Sequence, residues 1–144
     1  MAFNGTKNFS LKEMRCKGDG SLPKDMTKLI AHANHMQTLR DWYNKPMNVH
    51  SWYRTAAYNK KVGGVSGSQH LTGNACDIGL PSEFSSFTAA RKQEWINHMC
   101  VKWHSICGGG GGFGVYNTFI HFDSRANYTN FDYRTNKNYT IKWK

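Results

Sequence analysis

Along the chain the apolar positions change period several times, and each change marks an element. Ser10 as N-cap, Glu13 three residues on and Phe9 as a staple predict a short helix, with Gly18 and Gly20 ending it. Leu22, Met26, Leu29, Ile30, Ala33, Met36, Leu39 and Tyr43 then recur at spacings of three and four. They predict a long helix capped by Ser21, with Pro23 in its first turn and Asn44 and Pro46 stopping it. Residues 47–53 are rich in strand formers, residues 55–59 suit one or two helical turns, and residues 62–67 are a Gly/Ser loop. Residues 75–80 alternate as a strand does, with Cys76, Ile78 and Leu80 on one face and Ala75, Asp77 and Gly79 on the other.

A second long helix opens at Ser86 or Thr88 and carries Phe87, Ala90, Trp95, Ile96, Met99 and Trp103. Five consecutive glycines, 108–112, follow as a flexible connector. Residues 113–116 and 118–123 read as a closing strand pair. Residues 1–8 are expected to be a loose lead-in, and 126–144 an edge strand or a partly ordered tail. With no repeat and no second core, 1–144 reads as one α+β domain. Its small antiparallel sheet packs against the helices on one face.

Composition narrows the class. The chain of 144 residues is 39% hydrophobic and 14% aromatic, enough for a core and too apolar for a disordered tail. No apolar run reaches the roughly 18 residues of a membrane span. The polar start has no signal-peptide core, so the expected origin is cytoplasmic synthesis, followed by action there or delivery by another route. Nineteen Lys and Arg against nine Asp and Glu leave +10, which suits a polyanionic partner. The charges are spread without a block of five or six, which disfavours a dedicated nucleic-acid arm. Cys16, Cys76, Cys100 and Cys107 form no CxxC pair, so free buried thiols are expected rather than a four-thiolate zinc site.

The chemistry concentrates in two segments. His70 lies on a loop broken by Gly73 and Asn74, and Asp77 lies in the apolar strand that follows. A buried carboxylate there needs a cation, several donors or a metal. Alternation in residues 118–123 puts Thr118, Ile120 and Phe122 on the core face and Phe119, His121 and Asp123 on the other. If the two strands neighbour each other, His70, Asp77 and His121 make a catalytic-type zinc set with a position left for water. Hydrogen-bonded histidines with a structural Asp are the other reading of the same spacing.

Ser68-x-His70-x-x-Gly73-x-Ala75-x-Asp77 matches the SxHxxGxAxD signature of the D-Ala-D-Ala-type zinc peptidases. That group includes VanX/VanY-like dipeptidases and carboxypeptidases, phage endolysin peptidases and the hedgehog-like fold. The segment 119–123 resembles the later block bearing the family's third ligand, and the segments beginning at Phe9, Ser51 and Val62 fall in the family's order. The resemblance covers about residues 8–125. It implies one Zn²⁺ held by His70, Asp77 and His121, on the sheet face away from the helices. It also implies that Arg54 binds substrate, its fork suiting a carboxylate. Ser68 would orient the site or the substrate, or hold a turn.

The sequence departs from the family at the general base. Many relatives place Glu or Asp three residues before the third ligand, and others His two before; here those positions are Thr118 and Phe119. Asp123 shares the face of His121 and is the candidate base; pairing with Arg125 is the alternative. His50 and His104 are further candidates for the base, and Tyr116 is a candidate to stabilise the oxyanion. The resemblance implies hydrolysis of a peptide bond in the peptidoglycan stem, by a carboxypeptidase or an endolysin-type endopeptidase; the charge suits approach to an anionic wall, and the small size and the start without a signal-peptide core suit phage lysis or virion delivery. Its rivals are a non-catalytic zinc-bearing binding module and a basic single-stranded nucleic-acid binder.

Overall fold

A computed structural model describes residues 2–143. Five strands form one sheet in the order β1-β2-β4-β3-β5: β1 Val49–Ser51, β2 Ala75–Gly79, β3 Gly112–Val115, β4 Phe119–Asp123 and β5 Thr129–Asp132. The first four pair antiparallel. Strand β5 pairs parallel with β3, so the sheet is mixed and the expectation of an antiparallel sheet is corrected at that edge.

The helices are α1 Leu11–Met14, α2 Thr27–Tyr43, α3 Ala56–Lys61 and α4 Ala89–Ile106. Ser10 and Glu13 form the capping box at α1, and Thr55 and Thr88 cap α3 and α4. Helix α1 stops at Met14, before either glycine, because Arg15 is already extended. Helix α2 begins five residues later than its apolar period does. The Ser21 hydroxyl donates to Asp19 instead of capping, and Asp25 accepts the Thr27 N–H at 2.9 Å. Asn44 ends α2 in the left-handed conformation, as its residue type favours.

Alternation sorts the sheet residues as a strand period requires. Cys76 and Ile78 of β2, Phe113 and Val115 of β3, and Ile120 and Phe122 of β4 join the core. Leu29, Ala33, Met36 and Leu39 of α2, and Ile96, Met99, Cys100 and Trp103 of α4, pack against them. Each large side chain buried this way contributes roughly 1.5–3 kcal/mol. The four thiols are free.

The lead-in, the glycine run and the last described residues are each held by specific contacts. Thr6 and Asn8 both donate to Gln37 of α2, which pins the lead-in. The glycine run is a turn, not a flexible connector: Gly108, Gly109 and Gly111 adopt φ of +67°, +95° and +89°. There the Gly111 N–H donates to the Arg125 carbonyl and Gly112 starts β3. Residues 129–132 form the edge strand, and Tyr139 packs edge-on to Phe84.

Candidate metal centre

Strand register brings the chemistry together. Asp77 of β2 lies directly opposite His121 of β4, and both side chains leave the sheet on the face away from α2 and α4. His70 arrives on the 3-10 turn Gln69–Thr72. Ser68 holds that turn by accepting the His70 N–H, and Gly73 closes it at φ +75°, where a Cβ would also strike Leu29. The turn is tied to the end of β1 by the Arg54 N–H donating to the His70 carbonyl.

One ligand atom from each of His70, Asp77 and His121 lies within 4.8 Å of the others. Asp77 Oδ1 is 3.2 Å from His70 Nε2 and 3.0 Å from His121 Nδ1. The far sides of both rings settle their tautomers. His70 Nδ1 is 2.6 Å from the Trp52 carbonyl, which only accepts, so Nδ1 carries the proton and Nε2 keeps its lone pair. His121 Nε2 is 2.8 Å from Asp123 Oδ2, so it donates there and frees Nδ1. Two neutral imidazoles, each fixed from behind by an oxygen acceptor, plus one carboxylate are the donor set of a three-ligand zinc site.

Until a metal displaces them, protons on the two ring nitrogens that face Asp77 dominate the charge balance. Burial pushes the Asp77 carboxyl up, but the hydrogen bonds of His121 and His70 outweigh it and hold the group well below the usual carboxylate range. Burial lowers His70 against the pull of Asp77. Burial also works against protonation of His121, yet Asp123 and Asp77 raise it overall.

The remaining expected residues fall in different places. Arg54 is committed on all three nitrogens: Nε donates to Ser51, Nη1 to Asn59 and Nη2 to Asp77 Oδ2 at 3.1 Å. Its guanidinium therefore holds the outer oxygen of Asp77 while it lines the cleft. Ser68 also lines the cleft.

Asp123 has no exposed surface. Its two oxygens accept Arg125 Nε at 2.9 Å and Nη2 at 2.7 Å, besides the His121 N–H. A carboxylate so saturated and screened from the cleft is poorly placed to take a proton from water. As placed, Asp123 fixes the direction of the His121 ring through its Nε2–H. His50, exposed on β1, and His104, bonded to the Gly110 carbonyl and Asn130, do not line the cleft.

The cleft measures about 570 Å³. One wall is the loop 62–67; the other is Tyr116, Phe119, Phe131 and Tyr133, with Tyr116 stacked on Phe119 at 4.3 Å. Sequence reasoning missed Phe131 and Tyr133, although their alternate spacing in 129–133 is a strand signal. It also missed Asn59, buried in α3, which anchors Arg54 and donates to the Val65 carbonyl.

A family model described as peptidase M15 matches residues 7–123. The chain belongs to the M15 peptidases. Within that family it is 34% identical over 86 residues to the zinc D-Ala-D-Ala carboxypeptidase of Streptomyces albus G. The alignment covers 53% of this chain and 32% of that relative, so the chain spans about a third of the relative's length. The matched segment of this M15 peptidase contains the whole His70, Asp77 and His121 set and ends at Asp123.

Proposed function

We propose that the protein is a zinc-dependent hydrolase of a peptide bond in the stem of bacterial peptidoglycan. The observation that carries this reading is the convergence of His70 Nε2, Asp77 Oδ1 and His121 Nδ1 at the floor of an open cleft, with both ring tautomers set for metal binding. The signature spanning Ser68 to Asp77 and the wall-enzyme relative support the substrate class. The net charge of +10 supports approach to an anionic wall, reached in phage lysis or virion entry.

Zinc held by these three residues would polarise the scissile carbonyl and bring the pKa of a water molecule towards ~7. The protein supplies the rest. Trp52 and Asp123 fix the two imidazoles, and Arg54 fixes Asp77. Burial first, then the charge of Asp77, pushes the Tyr116 phenol up to about 12. Tyr116, which lines the cleft, therefore stays neutral and is the O–H donor we assign to the negative charge that develops on the carbonyl oxygen. Phe119, Phe131 and Tyr133 screen the floor of the cleft from bulk water.

A second reading, a zinc-bearing binding module without turnover, is favoured by one observation. Asp77 is the single Asp or Glu lining the cleft among the described residues, so no uncommitted carboxylate stands by as base. The nucleic-acid reading has only the charge in its favour. Digestion of purified wall, followed by mass spectrometry of the muropeptides, separates these readings. The wild type should release shortened stem peptides and His70→Ala should not. Unchanged muropeptides with the zinc-loaded wild type would favour the binding module.

A further inference from the structure

Among the described residues only two Lys or Arg side chains are buried, Lys92 of α4 and Arg134. Arg134 is fully partnered: Nε and Nη2 donate to Asp132 and Nη1 to the Tyr139 carbonyl. Lys92 is 9% exposed and has no hydrogen bond or ion pair among the described residues. Its ammonium lies instead 5.7 Å from the Phe84 ring centre and 5.8 Å from that of Tyr139. Ring faces attract a cation but supply no countercharge.

The ammonium is not sealed in. Among the described residues Asn97 Oδ1 is the one unpartnered side-chain nitrogen or oxygen shut off from solvent. Lys92 Nζ therefore opens onto the cavity that its side chain lines, of about 330 Å³. This cavity shares no lining residue with the metal cleft, and no described Asp or Glu lines it.

We propose that the cavity binds a phosphate group, with Lys92 as its cation, and so holds the protein to a phosphate-bearing polymer of the wall. The wall as the source of the phosphate rests on the wall-peptidase reading; the site itself does not.

Charge asks for an anion. A buried ammonium without a counterion is costly, and a bound anion removes that cost. The nearest ion pairs do not supply one, because Asp132 is already shared by Arg134 and, at 3.7 Å, by Lys137.

The donor set favours phosphate over carboxylate. An ammonium is a point charge with three donors, whereas a planar carboxylate is matched by a guanidinium fork. The Arg134 fork is spent on Asp132. Ser85, Thr118, Asn136 and Asn138 also line the cavity, with hydroxyls and amides that have no partner among the described residues. They are free for the remaining phosphate oxygens.

The walls are already in place. Arg134 fastens Tyr139 through its carbonyl and lies 4.2 Å from its ring centre. Asn117 Oδ1 accepts the N–H groups of Thr135 and Asn136, and Gln93 donates to the Thr140 carbonyl. Little ordering remains to be done when a ligand enters.

The position suits a wall enzyme. Asn117 and Thr118, in the turn between β3 and β4, line the cavity, and their neighbours Tyr116 and Phe119 line the metal cleft. A polymer held at Lys92 is thus held beside the cleft. The net charge of +10 steers the chain to a polyanion, and this cavity gives that attraction a specific seat.

The test is a binding titration of the zinc-loaded protein with poly(glycerol phosphate), with inorganic phosphate and acetate as competitors. Four proteins are compared: the wild type, Lys92→Met, Asn138→Asp and Lys17→Gln. Lys92→Met keeps the stem packed on Phe84 and Tyr139. Asn138→Asp, at an exposed position, sets a carboxylate at the cavity and leaves that stem alone. Lys17→Gln makes the same charge change at an exposed site that does not line the cavity. Phosphate held at the metal is common to all four and drops out of the comparison.

Lys92→Met and Asn138→Asp should each weaken polymer binding by roughly 10- to 100-fold, as expected for loss of a hydrogen bond to a charged group. Lys17→Gln should weaken it less than ~3-fold. Inorganic phosphate should displace the polymer from the wild type, and acetate at the same concentration should not. Losses in both cavity variants no greater than in Lys17→Gln would overturn the proposal, as would equal displacement by acetate. Inorganic phosphate bound through Lys92 with the polymer unbound would overturn the wall polymer as the ligand. The expected binding together with unchanged muropeptides would uphold the site and overturn the wall-peptidase reading alone.

Discussion

Asp123 and Arg125, two residues apart, form a two-pronged ion pair on a carboxylate with no exposed surface, and the same carboxylate accepts the Nε2–H of His121. The pair fixes the direction in which His121 presents Nδ1. Burial works to raise the Asp123 carboxyl, but His121 and Arg125 together hold it well below the usual carboxylate range. Asp123→Asn should therefore weaken zinc binding by roughly 10- to 100-fold. Activity measured at saturating zinc should stay within ~10-fold of the wild type. A loss of about 10²-fold or more with zinc fully bound would instead give Asp123 the role of base.

Gly112 of β3 lies opposite Asp123 in the register, and a Cβ there would run into the Asp123 carboxylate. Gly112→Ala should displace Asp123 and lower zinc affinity much as Asp123→Asn does, with Cys76, Ile78 and Phe122 still packed. Zinc titration checks this; an affinity equal to that of the wild type would show that the strand shifts to make room.

Arg54→Lys removes the fork that joins Asp77, Asn59 and Ser51. An ammonium cannot span the three acceptors. Zinc affinity should fall about tenfold, together with activity, since Asp77 loses the donor on its outer oxygen. Retention of full zinc affinity with a selective rise in KM would show that Arg54 acts on substrate instead.

Much of this was legible in the sequence where a short-range rule operates. The α1 capping box, the Thr88 cap and the alternation of β2 and β4 are local, and the register then places Asp77 against His121. Alternation assigns a face to a side chain but not its partners. It put Asp123 beside His121 without showing that Arg125 would occupy both oxygens. The parallel pairing of β5 with β3, which brings Phe131 and Tyr133 to the cleft, is a long-range contact with no local signal. The glycine run misled because it closes the end of α4: Gly108, Gly109 and Gly110 donate back to the carbonyls of Ser105, His104 and Cys107, and Gly111 then reaches across the chain, to Arg125.

His32 of α2 is fully buried between Trp52 and Trp103, with Nδ1 2.6 Å from the Ser124 hydroxyl and Nε2 3.3 Å from Cys76 Sγ. Burial lowers it well below its ordinary 6.5. Between that value and the folded one, the unfolded chain binds a proton that the folded chain does not. Stability should therefore fall as pH drops below about 6.5, by up to ~1.4 kcal/mol per pH unit. Urea unfolding at pH 7 and pH 5 should show a smaller loss for His32→Phe than for the wild type. An equal loss would remove His32 as its source.

The claim that His70, Asp77 and His121 together hold one zinc is tested most directly by metal analysis of purified protein dialysed against trace zinc. The wild type should carry about one zinc per chain, and the His70→Ala, His121→Ala double variant, folded by circular dichroism, should carry almost none. Equal zinc content in the two proteins would contradict the assignment.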